Sequence, residues 1–90
     1  MRIMTGKETE DGTFRLRCIG ESEPGETPKE ALTRVASLFC KKPLAEMKSR
    51  FHESWDGPGI PAVMVEKKNA TRLFCIDTAW NAETKQYEIA

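Results

Sequence analysis

Three features of the sequence predict an α+β fold. A single long helical period opens at a capping box. A tight-turn dipeptide lies between two apolar-patterned stretches near the start. The last third is a series of short apolar runs separated by polar turns. Together they predict an antiparallel sheet in the order β-β-α(α)-β-β-β, packed on one face by a helical segment, in one domain over residues 1–90. Ninety residues suffice for one modest core and not for two.

Asp11-Gly12 is the dipeptide of a tight hairpin turn. Beyond it, Phe14, Leu16 and Cys18 alternate with Arg15 and Arg17, the period of a half-buried strand. Ile3 and Thr5 supply a weaker partner before the turn. Residues 20–25, rich in Glu, Ser, Gly and Pro, form a loop leading to the helix.

Thr27-Pro28-Lys29-Glu30 starts that helix. The Thr27 hydroxyl can accept from the Glu30 amide while the Glu30 carboxylate accepts from the Thr27 amide. Pro28 occupies the first helical position, where its missing N–H is not needed. Leu32, Val35, Ala36 and Phe39 then fall on one face to about Lys42. Pro43 must kink or end the helix. Leu44, Met47, Phe51 and Trp55 continue at helical spacing, so a second helical segment is expected to about Ser54, as one bent helix or as two. Residues 56–61, Asp-Gly-Pro-Gly-Ile-Pro, end it.

Residues 62–66 read as a short strand, 67–70 as a polar turn, and 71–76 as a strand apolar nearly throughout and therefore central. A turn over 81–85 leads to a last strand with Tyr87 and Ile89. The predicted core joins Leu32, Val35 and Phe39 to Phe74 and Ile76.

Apolar residues make up 39% and charged residues 31% of the chain, an ordinary soluble composition that argues against both disorder and a membrane span. Read as a complete chain from Met1, the sequence lacks the apolar stretch of a signal peptide, and a cytoplasmic location is expected. Cys18, Cys40 and Cys75 are odd in number and widely spaced, each in an apolar run. They are expected to be reduced and mostly buried, with no metal and no cofactor.

His52 is the single histidine, so any general-base proposal must use it. Nothing in the sequence supplies an oxyanion hole or an orienting group beside it and Cys40. The carboxylate pairs Glu8/Glu10, Glu21/Glu23 and Glu53/Asp56 lie in polar segments, away from the apolar pocket that acid–base work requires. An enzyme is not expected. Trp55 and Trp80 stand at element ends beside polar turns. Trp55 reads as a lid on the core, and Trp80 as a lid or an interface anchor.

The formal net charge is zero, but residues 29–52 hold six cations against two carboxylates between flanks that are each net acidic. Lys29, Arg34, Lys41, Lys42, Lys48 and Arg50 are therefore candidate partner-binding residues, with Trp80 as a candidate anchor. Arg15, Arg17, Lys67, Lys68 and Arg72 add positive charge on strands or turns.

In size, in the absence of catalytic motifs and in its compact α+β build, the chain resembles the small stand-alone proteins of phages and other mobile elements, among them anti-CRISPR inhibitors. The resemblance is one of general character and assigns no residue a role. It implies a stoichiometric inhibitor that docks on a larger protein or ribonucleoprotein complex and blocks nucleic-acid access or a conformational step, with contact to nucleic-acid phosphates a possible part of the docking. The alternative from another class is a small nucleic-acid-binding regulator that uses the basic segment 29–52.

Overall fold

The computed structural model describes residues 1–90. Strands β1 (Arg2–Lys7) and β2 (Arg17–Glu21) precede helix α1 (Pro28–Cys40). Strands β3 (Ser49–Phe51), β4 (Ala62–Lys67), β5 (Ala70–Ile76), β6 (Thr78–Asn81) and β7 (Gln86–Ile89) follow. Five strands form one sheet in the order β2-β1-β5-β4-β3, and β6 and β7 form a separate hairpin. Neighbours in the main sheet run antiparallel throughout. The fold is α+β, with one helix on one face of the sheet. No helix is long and apolar enough to cross a membrane.

The capping box forms as the residue types require. The Glu30 amide donates to the Thr27 hydroxyl at 3.2 Å, and the Thr27 amide donates to the Glu30 carboxylate at 3.0 Å. Ala31, Leu32, Val35 and Ala36 face the sheet. They meet Ile3 of β1, Phe74 and Ile76 of β5, and Val63 and Val65 of β4, with Leu44 closing one side. Phe39 is half-buried and meets Phe74 edge-on at 5.8 Å. Gly20 of β2 lies under the helix, where a Cβ would come within 3.1 Å of Val35, so glycine sets the spacing between helix and sheet.

Sequence and structure part at four places. The helix stops at Cys40 because Lys41 turns left-handed (φ 55°, ψ 34°). Lys41 and Lys42 then donate to the carbonyls of Leu38 and Ser37, the pattern of a Schellman cap. The expected second helical segment to Ser54 does not form. Residues 44–46 and 53–55 are single 3₁₀ turns, and 49–51 are edge strand β3 on β4. The strand after Asp11-Gly12 begins at Arg17 rather than Phe14, and a bulge places Ile19 against the core. Arg17 and Gly20 therefore face the helix, while Leu16 and Cys18 are exposed. Finally, the closing strand pairs with β6 in its own hairpin, outside the main sheet. Strand β5 is central, as its apolar run predicts. Strand β1, weak in the sequence, is an inner strand with Ile3 and Thr5 fully buried. The Thr5 hydroxyl is satisfied by the Leu73 carbonyl at 2.8 Å.

The cysteines are free thiols, but they are not all buried. Cys18 is exposed, and Cys40 and Cys75 are intermediate. Burial, with Asp77 nearby, pushes the Cys75 thiol pKa up. Trp55 packs on the core edge, 4.8 Å from Phe51, with the Lys29 ammonium over its ring at 5.3 Å.

Candidate functional site

The six basic candidates of residues 29–52 do not form one surface. Lys29 pairs with Asp56 near the start of α1. Arg34 is held by Glu26 through Nε at 2.7 Å and Nη2 at 3.0 Å, and also donates to the Glu21 carbonyl at 2.8 Å. Lys48 and Arg50 share Glu66, at 3.2 and 3.3 Å. Such pairs contribute little to stability at a surface, about 0–1 kcal/mol each. Their main effect is to cancel the field of the four cations. Lys41 and Lys42 alone have no carboxylate partner.

Sheet register places further unpaired cations near those two lysines. Residues directly opposite in an antiparallel pair share a face. Arg17 lies opposite Thr5, and Lys7 lies opposite Arg72, so Arg17, Lys7 and Arg72 lie on the helix-covered face of β2, β1 and β5. The Arg72 guanidinium lies over the Phe39 ring at 4.9 Å and that of Arg17 at 5.6 Å. Stacking on an aromatic face fixes a guanidinium plane. Arg72 Nη1 donates to the Thr5 hydroxyl at 3.4 Å, and the remaining N–H groups of the two guanidiniums are available to an anion. None of these three residues forms an ion pair. Phe39 sits near the helix C-terminus, one residue before the terminal Cys40, and the negative end of the helix dipole favours cations there. Leu38, 67% exposed, adds an apolar spot beside Lys41 and Lys42.

Charge in this neutral protein is thus separated along the strand axis. At the end carrying the helix C-terminus, Lys7, Arg15, Arg17, Lys41, Lys42, Lys67, Lys68 and Arg72 face Glu8, Glu10 and Asp11, a surplus of five positive charges. At the opposite end, Arg2, Lys29 and Arg34 stand against Glu21, Glu23, Glu26, Glu30, Glu53, Asp56 and Asp77, a deficit of four, and Glu83, Lys85 and Glu88 lie on the separate β6–β7 hairpin. Glu46, Lys48, Arg50 and Glu66 lie along the β3 edge and cancel. Lys7 was not legible as a candidate, because only the strand register brings it beside Arg72. The alternate placing of Arg15 and Arg17 was the visible trace of the patch.

Trp80 lies outside the main sheet, on the β6–β7 hairpin. It is 56% exposed and meets the 66% exposed Tyr87 edge-on at 5.0 Å. Tyr87 also borders a groove of about 600 Å³ with His52, Glu53, Ser54, Pro58, Gly59 and Ile60. In that groove His52 Nδ1 accepts from the Ser54 amide at 3.1 Å, and the Ser54 hydroxyl donates to the Ile60 carbonyl at 2.7 Å. These bonds hold the turn between β3 and β4. Nowhere do three or more His, Cys, Asp or Glu side chains gather in a metal-binding arrangement.

No protein family matches this chain, and no curated protein or solved structure is significantly similar to it.

Proposed function

We propose that this protein is a stoichiometric inhibitor of a larger nucleic-acid-handling complex, anti-CRISPR-like in mode, and that its cationic end docks on phosphates of the nucleic acid which that complex holds. The observation that carries the reading is the set of Arg17 and Arg72 over Phe39, with Lys7, Lys41 and Lys42 nearby and no carboxylate paired to any of them. Guanidinium edges suit phosphate oxygens in a way that a scattered lysine face does not. The runner-up, a regulator that binds free nucleic acid, uses the same cations. Overall neutrality favours the inhibitor, since domains that live on phosphate contacts are usually net basic.

The test titrates the protein into cleavage reactions of several RNA-guided nucleases. Inhibition should be complete near one equivalent and be lost in Arg17→Glu with Arg72→Glu. Free DNA and RNA oligonucleotides should bind weakly. Tight binding to free duplex, with log affinity falling against log salt at a slope of about −4 to −5 for five phosphate contacts, would establish the regulator instead. Cleavage unaffected by excess protein in every reaction would refute the inhibitor reading.

A further inference from the structure

The sheet has a second face that α1 does not cover, although the main chain of Arg15 lies over Gly6 at one end of it. Register places Cys18, Met4, Cys75 and Ala62 in one row across β2, β1, β5 and β4, and Leu73 opposite Met64 in the next. Five of these six side chains are half-buried and Cys18 is exposed, so all reach the surface. The face is apolar at its centre, and its methionines adapt to the shape of whatever packs on them. Its rim is charged and, apart from Glu21 at the β2 corner, internally paired. Lys48 and Arg50 share Glu66 on one side, and Arg2 pairs with Asp77 at the other end. Covering this face therefore leaves one unpaired charge at its corner, the exposed Glu21 opposite Arg2.

We infer that this open face is the interface of a two-fold dimer of the chain, with two sheets stacked and their strands antiparallel. The end-to-end charge separation selects both the occupant and the axis. A face-to-face pair has its two-fold axis in the interface plane. An axis along the strands places the two cationic ends together. An axis across the strands places each cationic end, with its surplus of five, beside the partner's acidic end, with its deficit of four. Complementary ends attract and like ends repel, so a second copy fits only in the antiparallel arrangement.

The five strands, of 6, 5, 3, 6 and 7 residues, lie about 4.8 Å apart with about 3.4 Å per residue and make a plate of at most roughly 440 Å². That is below the ~800 Å² per partner of a standard stable interface, so the dimer dissociates on dilution. Arg17, Lys7, Arg72 and Phe39 lie on the helix side of each sheet and stay on the outside of the pair. The inference stands independently of the inhibitor reading.

Sedimentation velocity from about 1 µM to about 1 mM at low salt tests it. The protein should pass from monomer to dimer and stop there. Met64→Glu should remain monomeric with an unchanged circular dichroism spectrum. Lys41→Glu with Lys42→Glu, exposed and away from the face, should weaken the dimer about tenfold at low salt and much less at high salt. Tightening of the dimer by that charge reversal would place like ends together and overturn the arrangement. A monomer at every concentration, or open-ended growth beyond the dimer, would overturn the inference itself.

Discussion

Lys41 stands where a helix most often places glycine. Its φ of 55° puts a Cβ in the left-handed region, at a cost of about 1 kcal/mol relative to glycine. The Schellman hydrogen bonds hold it there, and its side chain joins the unpaired cations of that end. Lys41→Gly should therefore raise stability by about 1 kcal/mol, roughly 4–8 °C in Tm for a domain this size. It should also weaken anion docking. Lys41→Ala removes the same charge without relieving the backbone. Thermal unfolding of both variants beside their inhibition curves separates the two effects. A glycine variant no more stable than the alanine variant would show that the residue is unstrained.

The loop between β2 and α1 is tied to the helix by Glu26 and Arg34. The Arg34 guanidinium, helped by the Glu23 amide, lowers the Glu26 pKa from an ordinary 4.5 to about 2. The unfolded chain takes up this proton near pH 4.5, while the folded protein resists until about pH 2. The contribution is thus complete above pH 4.5 and is lost as pH falls through that window. Asp11, bonded by Thr9 and Thr13, and Glu30, bonded by Thr27, are lowered too and add to the same slope. Glu26→Gln should flatten the fall of Tm between pH 5 and pH 2 relative to the wild type, and an unchanged slope would count against the tie. Elements whose signals are local were legible in the sequence: the Thr27–Glu30 box, the turn at Asp11-Gly12, and the apolar run of β5. Strand β3 was not. The spacing of Leu44, Met47, Phe51 and Trp55 fits a helix, yet Ser49–Phe51 gains a partner in Val63–Val65 that no local pattern reveals. The docking cations were half legible for the same reason. Lys41 and Lys42 follow the helix in sequence, whereas Lys7, Arg17 and Arg72 meet only through the pairing of β2, β1 and β5. The ion pairs that silence Lys48 and Arg50 likewise depend on the pairing of β3 with β4.

For the molecule as a whole, a net charge of zero conceals a separation of charge. A formally neutral protein with a surplus of five at one end should bind media of either sign. Near pH 7 and low ionic strength it should be retained on both cation and anion exchangers. Arg17→Gln with Arg72→Gln should shorten retention on the cation exchanger far more than on the anion exchanger. Passage of the wild type through both columns unretained would contradict the charge separation. The radius of gyration, 13.0 Å, slightly exceeds the ~12 Å of an average domain of this length, in keeping with a hairpin set apart from the main sheet. That hairpin joins the rest through Asp77, whose amide donates to the Arg2 carbonyl at 2.9 Å and whose carbonyl accepts from the Ala90 amide at 3.0 Å, and through Tyr87, which borders the groove at residues 52–60. Folding of the core therefore makes few demands on the residues of β6 and β7. Under mutation this arm is free to explore new side chains while the five-stranded scaffold and its cationic end stay constant.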